Sequence, residues 1–236
     1  MDIGILCSHC KQTFEMPRWV IIQMYKAIMS YSPLPKEELD LFKQLKDLKV
    51  IFDVGARDDT EYLELWPESE HHLFEPNPEF FEKLQEKVKG NVFANNFGLG
   101  EKEENKGYYS PLQGFLGSGN VPDNVTPDLV LPIQTLVKYV TDKGIETIDF
   151  LKIDTEGHDR KVILGAKGMW DKIRFIQYEH WGDPDNFNIR DLLASKFEMY
   201  NVGYRNVLCM NFKLVSERER NELRTYILDN KLKDLA

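Results

Sequence analysis

Cysteine is scarce in this chain: Cys7, Cys10 and Cys209 are the three thiols among 236 residues, too few and too odd in number to staple a fold of this size. A disulfide-built secreted scaffold is thereby excluded, and a reducing, cytoplasmic setting is the expectation. Long apolar runs are missing too. The longest early stretch, Trp19 to Ile22, falls far short of the roughly 18 residues of a spanning helix, and no basic region followed by an apolar core and cleavage site opens the chain. Positive charge is in deficit, with 30 Lys and Arg against 39 Asp and Glu and a formal net charge of −9, which argues against phosphate-backbone affinity and hence against a nucleic-acid partner. What remains is a globular composition, 42% hydrophobic and 29% charged, which suits one packed α/β domain with an appendage.

The appendage is expected over residues 1–46. It starts with Cys7-Ser8-His9-Cys10, half the ligand set of a zinc site; a second subunit would have to complete it through this extension, and two ordinary thiols are the simpler reading. Helices are expected at Pro17 to Met29 and Pro35 to Leu45, each with proline in its first turn. From residue 47 to 236 strands and helices alternate, which predicts a parallel sheet with right-handed crossovers. The expected strands are Val50 to Val54, Leu73 to Phe74, Val92 to Ala94, Thr147 to Ile153 and Lys172 to Tyr178. An antiparallel pair, Phe197 to Val202 with Val207 to Leu214, closes the set. Helices are expected at Asp59 to Trp66, Pro78 to Lys89 (capped by Asn77), Ile133 to Val140, Arg160 to Trp170, Asp191 to Lys196 and Glu217 to Leu232. Between Gly98 and Pro132 the pattern loosens, and a substrate-covering flap is expected around Gln113 to Asn124.

The informative segment runs from Val50 to Glu75. A buried strand ends at Gly55, where the backbone can turn sharply, and Glu75 follows at about the 20-residue spacing of an acidic side chain that accepts from ribose hydroxyls. The turn, Gly55-Ala56-Arg57-Asp58-Asp59-Thr60, lacks the second and third glycines that seat a dinucleotide's pyrophosphate, and its two aspartates repel phosphate. A cationic, phosphate-free nucleoside such as S-adenosylmethionine suits it better than NAD.

Three segments in order, Phe52-Asp53-Val54-Gly55-Ala56, Phe74-Glu75-Pro76-Asn77-Pro78 and Asp149-Phe150-Leu151-Lys152-Ile153-Asp154-Thr155-Glu156-Gly157, with Gly165 in the next helix, resemble the FkbM family of S-adenosylmethionine-dependent methyltransferases. The resemblance implies the class I methyltransferase sheet, a Rossmann-like α/β array of seven strands with the last antiparallel, and O-methylation, commonly of sugar hydroxyls in glycans or glycosylated metabolites. Carried over by position, Asp53, Gly55, Ala56, Arg57 and Thr60 would surround the amino-acid end of the cofactor, and Glu75 would hold its ribose. Asn96, Phe97 and Gly98 are placed to frame adenine, and Pro76 shapes the turn. The chain departs from the family pattern at Arg57 and Asp59, where asparagine and glycine are usual; Asp59 is then a candidate acceptor for the cofactor's ammonium group.

Asp154 and Glu156 lie at the carboxyl end of the fourth strand, where open sheets put their ligands, and Glu156 has a second reading as a cap of the next helix. His158 and His180 are candidate bases, and His180 follows Glu179 at a strand end. Asp154, Glu179 and His180 also offer oxygen and nitrogen ligands for a divalent cation such as magnesium. Rival readings are a cofactor-binding scaffold without turnover, suggested by Arg57 and Asp59, and an NAD-dependent oxidoreductase, disfavoured by the single glycine.

Overall fold

The computed structural model describes residues 3–6, 13–16, 34–118, 121–179, 184–203 and 205–232. Cys7, Cys10, His180 and the helix expected at Pro17 to Met29 lie outside the described residues. Near the start, β1 (Ile3–Leu6) and β2 (Thr13–Met16) form an antiparallel hairpin. Then come α1 (Lys36–Phe42), β3 (Val50–Val54), α2 (Tyr62–Leu65), β4 (Glu70–Phe74), α3 (Pro78–Gln85) and β5 (Val92–Asn95).

The seven-stranded sheet runs β5-β4-β3-β10-β11-β13-β12, with β10 (Ile148–Ile153), β11 (Ile173–Glu179), β12 (Phe197–Val202) and β13 (Asn206–Asn211). β13 is antiparallel to both neighbours, and the other neighbouring pairs are parallel. This is the class I methyltransferase sheet. Its central strands carry apolar residues on both faces because both faces are covered. In register, Phe52 and Leu151 feed one core cluster, while Ile51, Phe150 and Phe175 feed the other. The second cluster also contains Leu41 and Phe42 of α1, so a helix read from sequence as part of the extension packs onto the sheet.

Helix starts follow local capping chemistry. Asn77 accepts from the Glu79 N–H at 2.9 Å with Pro78 at the first helical position, Thr135 accepts from Lys138 N–H ahead of α4 (Leu136–Lys143), and Ser216 accepts from Glu219 N–H ahead of α7 (Glu217–Asp229). α5 (Asp159–Gly165) is shorter than expected because the chain tightens into a 3₁₀ turn at Lys167–Lys172; α6 (Pro184–Leu193) begins earlier than expected.

The loosely patterned stretch is not an open loop. β6 (Gly98–Leu99), β7 (Glu104–Tyr109), β8 (Gly114–Phe115) and β9 (Leu129–Gln134) form a second sheet in the order β6-β9-β7-β8, so Ile133 and Gln134 are strand residues where a helix start was expected. Tyr108, Phe115, Leu131 and Ile133 give this flap its own small core.

Candidate functional site

A cavity of about 450 Å³ opens at the carboxyl ends of β3, β4, β10 and β11 and is covered by the flap. Ligand pockets of this size and position recur in open parallel sheets. Of the residues expected to bind the cofactor, Asp53, Gly55, Ala56, Arg57, Asp59, Thr60, Glu75, Pro76 and Gly98 line it; of those expected near the reacting groups, Asp154, Glu156, His158 and Glu179 do.

The turn after β3 is fixed by a close approach. Gly55 has φ +84°, and a Cβ there would lie 1.8 Å from the carbonyl oxygen of Asp154, so the cofactor turn and the end of β10 touch through a position that only glycine can fill. Beneath them runs a buried polar row. Asp53, Lys152 and Gln177 are in register across three strands. Lys152 Nζ lies 2.8 Å from Asp53 Oδ1, donates to the Gly55 carbonyl at 2.9 Å and lies 3.9 Å from Asp154 Oδ2. The Tyr62 hydroxyl donates to Gln177 Oε1 at 2.6 Å. Although burial disfavours the ammonium, the charges of Asp53 and Asp154 prevail and hold the Lys152 pKa above its ordinary value. Lys152 escapes sequence reasoning as a site residue, although a lysine within Phe150-Leu151-Lys152-Ile153 demands a buried partner.

Glu75 is 5% exposed. Its Oε1 accepts from the Asn77 N–H at 2.7 Å and its Oε2 from the Arg57 N–H at 3.0 Å. Each oxygen retains acceptor capacity for a further donor, as a diol requires. Burial pushes the carboxyl up to about 7 despite those two bonds. Arg57 has φ +54°, and its guanidinium lies 4.9 Å from the Phe80 ring centre. Asp59 pairs with Lys87 and accepts from the Thr60 N–H at 2.8 Å. Burial opposes that charge, but these contacts hold its pKa below the ordinary value.

Asn96 and Phe97 are turned elsewhere. The Asn96 amide donates to the carbonyls of Glu75 and Pro76, at 3.0 and 3.1 Å, and Phe97 meets Phe74 edge-on at 5.7 Å against the core. Of that trio Gly98 alone lines the cavity. Tyr108 and Phe115, which sequence reasoning also missed, supply aromatic walls from the flap.

At the β10–β13 end of the cavity the Asp154 side chain is 46% exposed, Glu179 lies 4.0 Å from Arg205 Nη1, and Glu38 of α1 accepts from Asn206 Nδ2 at 2.6 Å. Glu156 has φ +53°, and α5 starts beyond it with His158 in the cap position. Burial pushes His158 down to about 3, with help from Lys161 and Lys106; the ring stays neutral and is a feeble proton acceptor, against its expected role as a base. Asp159 is pushed up to about 7 by burial and by the charge of Asp154. Among the described residues no group of three or more His, Cys, Asp or Glu is arranged to hold a metal ion. Cys209 is buried in the core, and no helix there is long and apolar enough to cross a membrane.

The chain is 27% identical over 217 residues to a 2-O-methyltransferase, NoeI, of Sinorhizobium fredii, covering 76% of this chain and 88% of that protein. It is 23% identical over 160 residues to a hexuronic acid methyltransferase, AglP, of Haloferax volcanii, and spans 65% of that protein's length. Among solved structures, an rRNA methylase from Streptococcus thermophilus superposes with a TM-score of 0.47 at 12% identity, covering 78% of this chain and 98% of that one. The model of the methyltransferase FkbM domain matches residues 53–205, which span the cofactor turn, Glu75, the flap and the ends of β10 and β11. The chain therefore belongs to the FkbM methyltransferase family.

Proposed function

We propose that the protein transfers a methyl group from S-adenosylmethionine to a hydroxyl group of a sugar, within a glycan or a glycosylated metabolite. The observation that carries the reading is the buried Glu75 carboxylate, held by two backbone N–H groups beside a glycine turn that lacks phosphate-binding glycines. The sugar acceptor is supported by the printed activities of the two relatives, a 2-O-methyltransferase and a hexuronic acid methyltransferase.

The residues fit this donor. Glu75 would accept from the ribose hydroxyls. Asp53 is already paired with Lys152, so it orients the floor of the site, and Asp59, paired with Lys87, adds negative charge to the lining beside the glycine turn. S-adenosylmethionine, when bound, supplies an electrophilic methyl group on a sulfonium. The chain has to bring the acceptor oxygen into line and take up its proton. Asp154, accessible within the cavity and adjacent to the Lys152 ammonium, is the group we assign to orient the acceptor hydroxyl, with Glu179 and Glu156 flanking the approach. Arg205 and Asn206 border the same opening.

The test is calorimetric titration with S-adenosylhomocysteine, followed by a screen for its production over nucleotide sugars and free glycosides, with and without chelator. Micromolar binding and product with a glycoside support the reading. Binding without product on any acceptor favours a non-catalytic scaffold, and a chelator-sensitive turnover adds a divalent cation.

A further inference from the structure

One side of the cavity has a different character from the acidic acceptor mouth. Leu99, Tyr108 and Phe115 give it buried apolar and aromatic surface, and Gln113 and the imidazole of His158 line the cavity with them. His158 is 2% exposed, and among the described residues neither ring nitrogen has a hydrogen-bond partner. Burying a polar group without a partner is costly, and such groups persist in native folds where water or a ligand completes them.

The surrounding chain is cut away to seat this ring. A Cβ at Gly100 would lie 3.1 Å from His158 Nε2, and one at Gly98 would lie 2.8 Å from the Phe115 ring. Phe115 in turn stands 5.2 Å from the imidazole and 5.4 Å, edge-on, from Tyr108. Tyr108 reaches the Asn77 side chain and feels the charge of Glu75. An unbroken set of contacts thus leads from the proposed ribose carboxylate, along the flap, to the unpartnered imidazole. Glu179 and Arg205 belong to the β11–β13 side of the sheet, away from this set.

We propose that this side pocket receives the purine of the methyl donor and that His158 reads the purine's edge through a ring-nitrogen hydrogen bond, as a specificity-determining residue rather than a base. The role rests on the donor reading above. Flat apolar and aromatic walls suit a planar heterocycle. A neutral imidazole carries one N–H donor and one bare acceptor, and adenine presents an amino donor beside ring-nitrogen acceptors, so either tautomer finds a complement. Its depressed pKa keeps that donor–acceptor pattern unchanged across the working pH range.

The experiment titrates the full chain with S-adenosylhomocysteine, its inosine analogue, which replaces the amino donor by a carbonyl, and its 7-deaza analogue, which removes one acceptor. The unsubstituted chain should bind at least one analogue about tenfold more weakly than the parent, and His158→Leu should weaken the parent about tenfold while erasing that discrimination. His158→Asn, which restores a donor and an acceptor, should recover part of it. Equal affinity for all three ligands, or a His158→Leu variant that keeps its discrimination or alters only the acceptor KM, overturns the role. As a check without substitution, the ¹⁵N signals of the His158 ring should move on saturation with S-adenosylhomocysteine; unmoved signals overturn it as well. Failure of the unsubstituted chain to bind S-adenosylhomocysteine at all would instead remove the donor reading, and this role with it.

Discussion

At the scale of single residues, two raised carboxyl pKa values make opposite demands on pH. Glu75 is an acceptor through both oxygens, without a proton of its own in the way, only when ionised, and burial holds its carboxyl up to about 7. Affinity for S-adenosylhomocysteine should therefore rise between pH 6 and 8, and Glu75→Ala should cost about 1–3 kcal/mol of binding and flatten that slope in calorimetry. Asp159 has no such use for its charge. It accepts from Thr155 Oγ1 at 3.0 Å through one oxygen, while the other lies buried with no hydrogen-bond partner among the described residues. With a folded pKa of about 7, well above the unfolded one, the native chain holds the extra proton, so stability falls as pH rises through that window and the penalty is complete above about 7. Asp159→Asn should raise the melting temperature at pH 8, by the equivalent of about 1–3 kcal/mol, and the gain should shrink toward pH 5. Asp154→Asn, by contrast, should leave donor affinity nearly intact and lower kcat by at least about 10²-fold, if the carboxylate handles the acceptor proton as assigned.

Among the elements, α5 and the flap depend on contacts that ordinary side chains would block. A Cβ at Gly165 would lie 1.9 Å from the Gly100 carbonyl, so Gly165→Ala should destabilise the fold by about 2 kcal/mol or more, read by urea denaturation. The flap's four-residue core is small beside the clusters of the main sheet. Its amides should exchange hydrogen at a lower opening free energy than those of β10 and β11, and S-adenosylhomocysteine should slow the flap's exchange. The same contrast explains what could be read from sequence. Val50 to Val54 and Lys172 to Tyr178 are legible as strands because most of their residues are apolar and buried. β7, with Glu104, Asn105, Lys106 and Gly107, has little apolar alternation, since much of it is only partly buried, and it passes for loop. In the site, Gly55 and Glu75 were legible because turn geometry and spacing leave a trace in sequence. The Asn96 amide was not, because its partners are the Glu75 and Pro76 carbonyls, which no spacing rule reveals. Tyr108 and Phe115 reach the cavity only through the fold of the flap.

Considered as a whole, the molecule lines one cavity from β3, β4 and the flap on one side and from the ends of β10, β11 and β13 on the other, the two sides to which the proposed function assigns donor and acceptor, with Lys152 paired to Asp53 between them. Arg174 joins distant parts of the same frame, donating to the Asp47 carbonyl at 3.2 Å and to Glu219 at 3.0 Å, and so ties the approach to β3 to α7. Unfolding of the seven-stranded sheet should accordingly be a single cooperative transition in denaturant, with coincident fluorescence and circular-dichroism curves. The contact of Gly55 with the Asp154 carbonyl has a kinetic consequence. Because the two loops abut with no side chain between them, a donor seated against the Gly55 turn, as proposed, should set the height of the Asp154 loop before the acceptor arrives. Initial-rate patterns should then follow compulsory-order addition, with the nucleoside entering first and leaving last.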